Sequence, residues 1–109
     1  MASRKYKVAF SKIAESDIDE TLAYISYDLS NPDAASSFAD ELEHKLNEVS
    51  KTPRMGRLVE NDFLKRDDVR SFLVGNFIVY YIVDEDEKVI VILRVVYEKR
   101  DLDKILKGV

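Results

Sequence analysis

RSFLVGNFIVYYIVDEDEKVIVILRVVY, from Arg70 to Tyr97, is the stretch on which the fold turns. It holds three runs rich in β-branched and aromatic residues, parted by Gly75-Asn76 and by Asp84-Glu85-Asp86-Glu87. Runs of that kind between polar punctuation read as strands, here Val69 to Val74, Phe77 to Val83 and Lys88 to Tyr97. Gly-Asn suits a two-residue hairpin in which Gly takes the positive φ of a type II′ turn. That turn sets Val74 opposite Phe77, Phe72 opposite Val79 and Arg70 opposite Tyr81. A four-residue acidic turn after Val83 would set Val83 opposite Lys88 and Phe77 opposite Arg94.

Alternation then sorts the side chains into two faces. Ser71, Leu73, Ile78, Tyr80, Ile82, Val89, Val91, Leu93 and Val95 share one face and are predicted to pack on helices. Arg70, Phe72, Val74, Phe77, Val79, Tyr81, Ile90, Ile92, Arg94 and Val96 share the other. That second face is apolar yet carries two arginines, and it is predicted to lie open for a protein partner or a second copy of the chain. The last strand is apolar on both faces except at Arg94, which predicts an internal position in the sheet.

Upstream, the period changes. Lys5 to Phe10 reads as a short strand, and Ser11 as a helix N-cap. Ile18, Leu22, Ile25 and Leu29 follow at helical spacing. Asn31-Pro32-Asp33 restarts a helix, with Asn as cap, Pro at the first position and Asp at the positive end. The second helix carries the stripe Ala35, Phe38, Leu42, Leu46 and Val49, and breaks at Pro53 and Gly56. Arg100 to Leu106 reads as a helical tail. The order is β-α-α-β-β-β with a short C-terminal helix. This is an α+β fold, with a helix hairpin on one face of a mainly antiparallel sheet.

The chain has 109 residues, 46% of them apolar and 35% charged, which suits one core over residues 1–109 and excludes disorder as the default. It has no Cys and one His, so disulfide frameworks, thiolate zinc sites and multi-His metal clusters are excluded. No apolar stretch is long enough to span a bilayer, and MASRKYKVAF turns polar at Ser11 without a leader pattern. A cytoplasmic setting is therefore expected. The formal net charge is −4, unevenly spread: Met1 to Ser50 carries 5 basic and 10 acidic residues, Lys51 to Val109 carries 12 and 11. A low pI of this kind argues against strong unspecific nucleic-acid binding.

The chain resembles the RelE/ParE superfamily of toxins from bacterial type II toxin–antitoxin systems. The stretches that carry the likeness are YKVAFSKIAESDIDETLAYI, NPDAASSFADELEHKLNEVSKTPRMGRLV and RSFLVGNFIVYYIVDEDEKVIVILRVVYEKRD. The resemblance implies the β-α-α-β-β-β fold with a tail helix, no cofactor and no metal. It also implies a cognate antitoxin partner, and the pair can assemble as a toxin–antitoxin heterotetramer. RelE-like relatives cut messenger RNA on the ribosome; ParE-like relatives poison DNA gyrase without nuclease chemistry. The first activity is the favoured expectation, with gyrase inhibition or a degenerate inactive toxin as alternatives.

Metal-free RNA cleavage through the 2′-OH needs a base, an acid and cations around the phosphorane. The resemblance points to Arg57, Arg70, Tyr97 and Arg100 as catalytic candidates, and to Arg54, Arg94 and Lys99 as RNA- or phosphate-binding ones. Six of the seven have a structural alternative. Arg57, Lys99 and Arg100 suit solvated cations, Arg70 and Arg94 suit ion pairs with acids such as Asp101, and Tyr97 could close the core. His44 lies on the polar side of its helix and is set aside. Asp101-Leu102-Asp103-Lys104, the missing C-terminal Tyr and the acidic charge all depart from the strong nucleases of the superfamily.

Overall fold

Local sequence rules account for where each element starts. A computed structural model describes residues 5–109, so the first four residues of MASRKYKVAF lie outside it. Strand β1 (Lys7–Phe10) runs into helix α1 (Lys12–Ala23), whose N-cap Ser11 accepts from the Ala14 amide. A π-helical turn (Tyr24–Asp28) ends that helix. Helix α2 (Pro32–Lys51) begins at N-cap Asn31, which accepts from the Ala34 amide. Then come β2 (Arg57–Leu58), β3 (Arg70–Val74), β4 (Phe77–Asp84), β5 (Val89–Tyr97) and α3 (Leu102–Lys107). They form one five-stranded sheet in the order β1-β5-β4-β3-β2, antiparallel except where β1 runs parallel to β5. The two-residue β2 is an edge piece that the patterning did not single out as a strand.

The first hairpin follows the sequence reading. Val74 pairs with Phe77, Phe72 with Val79 and Arg70 with Tyr81, and Gly75 has φ of 57°. The second turn does not. Asp84 pairs with Val89 and Val83 with Ile90, so Lys88 sits in the turn at φ 57° and is not opposite Val83. The Glu87 amide donates to the Asp84 carboxylate inside this turn, and Asp84, the first of the four acids, joins the strand pair. A β-bulge between Tyr80 and Tyr81 then leaves Leu93 without a partner, so Phe77 pairs with Tyr97 and not with Arg94. The Ser11 hydroxyl donates to the Leu93 carbonyl and its amide donates to Ile92, which anchors the bulge.

That single extra residue reverses the parity of the strand end. Val95 joins the core that contains Val79, Tyr81, Ile90 and Ile92, while Val96 joins Tyr80 on the opposite side. The helix hairpin packs on the face expected to be open, as Ala14, Ile25, Phe38, Leu42 and Val49 cluster with Val74, Val79 and Tyr81. The open apolar face is therefore corrected. Its two arginines had argued for exposure, but Arg94 is paired with Asp17 of α1. Arg70 lies toward the edge and reaches backbone carbonyls of the α2–β2 connection. Ser71 and the 54%-exposed Leu73 mark the other face as the less buried one. Its Ile78, Ile82 and Leu93, with Tyr80 and Val96, meet Leu64, Val69, Ile105 and Leu106.

The helix stripes hold with one exception. Ala35, Phe38, Leu42 and Val49 are buried, and Leu46 packs against them. On the first helix Ile25 is buried, but Leu29 is exposed. Leu29 caps the π-helical turn, at the point where the helix ends.

Candidate functional site

The seven candidate residues fall into two groups at different edges of the sheet. Arg54, Arg57 and Arg70 stand at the β2–β3 edge. Arg94, Tyr97, Lys99 and Arg100 stand at the C-terminal end of β5. Arg70 pairs with Tyr81 and Tyr97 with Phe77, so four residues along β4 and two strand spacings separate them. Strand geometry makes that about 16 Å between Cα atoms. The two sides of the sheet also differ. Arg57 pairs with Ser71, which pairs with Tyr80 of the α3 side, whereas Tyr97 stacks on Phe77 and through it on Phe38 of the hairpin side.

At the β2–β3 edge, the buried Tyr81 ring organises the connection that follows α2. Its hydroxyl donates to the Pro53 carbonyl at 2.7 Å and accepts from the Gly56 amide at 2.9 Å. Burial raises the Tyr81 pKa, with the Gly56 amide and the Arg70 charge opposing. A side chain at Gly56 would overlap the Tyr81 hydroxyl and ring, so only glycine fits there. Arg70 completes the clamp by donating to the Gly56 carbonyl at 2.8 Å and the Arg54 carbonyl at 3.1 Å. Its guanidinium is thus engaged by the backbone on at least one nitrogen. Arg54 donates to Glu85 at 3.2 Å, and the Tyr6 hydroxyl donates to the same carboxylate at 2.7 Å. The Tyr6 hydroxyl first, and Arg54 second, hold Glu85 below the ordinary glutamate value.

At the β5 end, Arg94 is locked. Its Nε and Nη2 donate to Asp17 of α1 at 2.8 and 3.1 Å, and the Val95 amide donates to the same carboxylate at 2.9 Å. The hydrogen bond that Arg94 donates to Asp17 raises the Arg94 pKa against the cost of desolvation. Asp101 does not serve as the acid for Arg70 or Arg94. It caps α3 by accepting from the Lys104 amide. The guanidinium groups of Arg70 and Arg94 do not converge: backbone carbonyls hold the first and Asp17 the second. Arg57, Lys99 and Arg100 are exposed and have no acidic partner among the described residues. His44 points to solvent and pairs with Glu48 one helical turn on.

Sequence reasoning missed Asp17, Tyr81 and Gly56 as organising residues. Asp17 had a signal. It sits within the helical series Ala14, Asp17, Ile18, Thr21, Ile25, where a carboxylate among core positions calls for a buried cation. Tyr81 had none, since an aromatic in a strand does not disclose where its hydroxyl ends. Among the described residues no cluster of three His, Cys, Asp or Glu side chains converges as metal ligands. No helix there is long and apolar enough to cross a membrane.

Between the hairpin tip and the ends of β3, β4 and β5 lies a groove of about 880 Å³. Ile25, Phe38, Phe77 and Val95 form its floor; Tyr24, Leu29, Tyr97 and Arg100 line its exposed rim. Concave, mainly apolar surfaces of this kind suit a binding partner.

The family model for the ParE toxin of type II toxin–antitoxin systems, parDE, matches residues 8–102. No curated protein matches the sequence. Among solved structures, the toxin–antitoxin complex RelBE2 from Mycobacterium tuberculosis is 21% identical with a TM-score of 0.62, covering 88% of this chain and 94% of that one. The chromosomal ParDE system of P. aeruginosa is 18% identical with a TM-score of 0.66, covering 87% and 98%. A mutant E. coli RelE toxin in the free state is 17% identical with a TM-score of 0.66, covering 95% of each chain. At these identities the structural likeness speaks for the fold.

Proposed function

Because the chain belongs to the ParE toxin family of type II toxin–antitoxin systems, we propose that it arrests growth by binding DNA gyrase rather than by cutting messenger RNA. A cognate antitoxin is the partner that neutralises it, as the complexes among its structural neighbours suggest. The observation that carries this reading is the dispersal of the cations that cleavage would need. Phosphorane stabilisation requires preorganised donors aimed at one point. Here Arg94 is held by Asp17, Arg70 by backbone carbonyls, and Arg57 stands about 16 Å or more from Tyr97 by strand geometry and on the other side of the sheet. The exposed Arg57, Lys99 and Arg100 serve in this reading as surface contacts for a partner.

Induced expression in a bacterium, with plasmid topology and transcript ends followed together, tests the proposal. Gyrase-linked DNA breaks with intact transcripts are expected. Codon-phased cuts in translated messages, with plasmid supercoiling unchanged, would reject it and return Arg57, Arg70, Tyr97 and Arg100 to the role of a ribonuclease site with Arg54, Arg94 and Lys99 on the RNA.

A further inference from the structure

Strand β1 forms one edge of the sheet, and its parallel pairing with β5 shows which of its backbone groups are left over. The Lys7 amide donates to the Lys88 carbonyl and the Ser11 amide to the Ile92 carbonyl, so Lys7, Ala9 and Ser11 turn their backbone groups toward β5. The amides and carbonyls of Val8 and Phe10 therefore point away from the sheet. The Tyr6 amide points the same way but is taken by the Ser50 carbonyl at the end of α2. The open stretch thus runs from Val8 to Phe10, with Ala9 at its centre. Unpaired edges of this kind are templates for another strand.

The side chains beside this edge are of two complementary kinds. Alternation puts Tyr6, Val8 and Phe10 on the hairpin side of the sheet, where Tyr6 and Val8 pack against the core. Phe10 is 37% exposed, and Ile13 just beyond it is 55% exposed. Next to the edge lies a hollow of about 540 Å³, lined by Tyr6, Val8 and Leu46 and bordered by the exposed Asp40 and Glu43. One edge therefore carries both a bare aromatic ring and an apolar recess.

We infer that β1 pairs antiparallel with β1 of a second copy of this chain, about a twofold axis at Ala9. A twofold interface must be complementary to itself, and this edge meets that condition. Val8 of each copy exchanges backbone bonds with Phe10 of the other, which uses every outward amide and carbonyl of the two residues. Each Phe10 ring then stands opposite Val8, at the mouth of the other copy's hollow. Lys7 falls opposite Ser11, so no like charges meet across the pair. A foreign strand could fill the backbone positions, but the second copy already holds the aromatic in register.

The chain has no cysteine, so a single introduced one reports the register. Ala9 meets its equivalent as a non-hydrogen-bonded pair with Cα atoms about 4.5 Å apart, a span that a disulfide bridges. Lys7 lies about 14 Å from its equivalent, beyond that span. Both side chains are exposed. Under mild oxidation Ala9→Cys is expected to cross-link at least about tenfold faster than Lys7→Cys, read on a non-reducing gel. A pairing this short belongs to the small, transient interfaces. Sedimentation of the wild type should therefore shift from monomer toward dimer between about 1 µM and about 500 µM. Phe10→Glu, which sets a carboxylate before Asp40 and Glu43, should stay monomeric over that range. The amide spectrum verifies its fold, and the cysteine comparison stands without it. Equal cross-linking of the two cysteine variants, or a wild type that stays monomeric at the top of the range, would overturn the inference. So would a folded Phe10→Glu chain that dimerises like the wild type. None of these readouts uses growth arrest, so the gyrase reading can fail while this pairing holds, and the reverse.

Discussion

Asp17→Ala is expected to cost this chain about 3 kcal/mol, and the structure supplies the parts of that figure. The carboxylate is 8% exposed and accepts three hydrogen bonds, two from Arg94 and one from the Val95 amide. Breaking a buried ion pair by removing one partner costs about 3–5 kcal/mol. The Arg94 side chain keeps 20% exposure, so its guanidinium can turn partly to water, which moves the expectation to the low end. The stranded Val95 amide adds about 1–3 kcal/mol if no water reaches it. Asp17→Asn keeps an acceptor of the same shape and should cost only about 1–2 kcal/mol. Urea unfolding at constant m reads these values directly. In heat, about 4–8 °C per kcal/mol is expected for a domain of this size, so Asp17→Ala should melt more than about 10 °C early. A cycle with Arg94→Met should return a coupling of about 1.5 kcal/mol or more. A loss below about 1 kcal/mol in Asp17→Ala, or additive single variants, would mean that the pair does not hold α1 to β5.

Tyr81→Phe should destabilise the chain by about 1–3 kcal/mol and speed hydrogen exchange at the Gly56 amide, since it strips the partner from that donor and from the Pro53 carbonyl. Unchanged exchange would show that water replaces the hydroxyl. Gly56→Ala should cost about 1–3 kcal/mol through overlap with the Tyr81 ring, read by thermal melting; an undisturbed melting temperature would contradict the close packing. His44→Ala should leave stability within about 0.5 kcal/mol and growth arrest intact, because the side chain is 73% exposed and meets only Glu48. Carboxyl titration by NMR should find Glu85 below its ordinary 4.5, with Tyr6→Phe moving it upward. The folded pKa is the depressed one, so any stabilisation from this group is full above pH 4.5 and disappears as pH falls through the lower folded value. Identical midpoints in both chains would remove the Tyr6 hydroxyl as the cause.

Three kinds of contact are legible in the sequence itself. Caps and breakers mark the helix starts, since Ser11 and Asn31 bond amides three residues away. Period marks the helix stripes and the strand runs. Turn chemistry sets the register of the β3–β4 hairpin, because a two-residue loop leaves one pairing open. The site is less legible. The superfamily likeness marks Arg70 and Arg94 for attention, yet their partners, Asp17 for Arg94 and the Gly56 and Arg54 carbonyls for Arg70, lie 77, 14 and 16 residues away in sequence.

The amino-acid sequence by itself determined the element order, the α+β class and the two amphipathic helices, all of which depend on neighbours within about one turn or one hairpin. Only the tertiary structure decided which sheet face takes the helices and which guanidinium groups remain available. The first follows from the packing of Val74, Val79, Tyr81, Ile90 and Ile92 against the hairpin, and the second from the bonds of Arg94 to Asp17 and of Arg70 to backbone carbonyls; the unpaired Leu93 of β5 carries Val95 into the same core. A bulge of that kind is selected by packing across the sheet and by the Ser11 anchor from another element, and a strand's own alternation carries no mark of it.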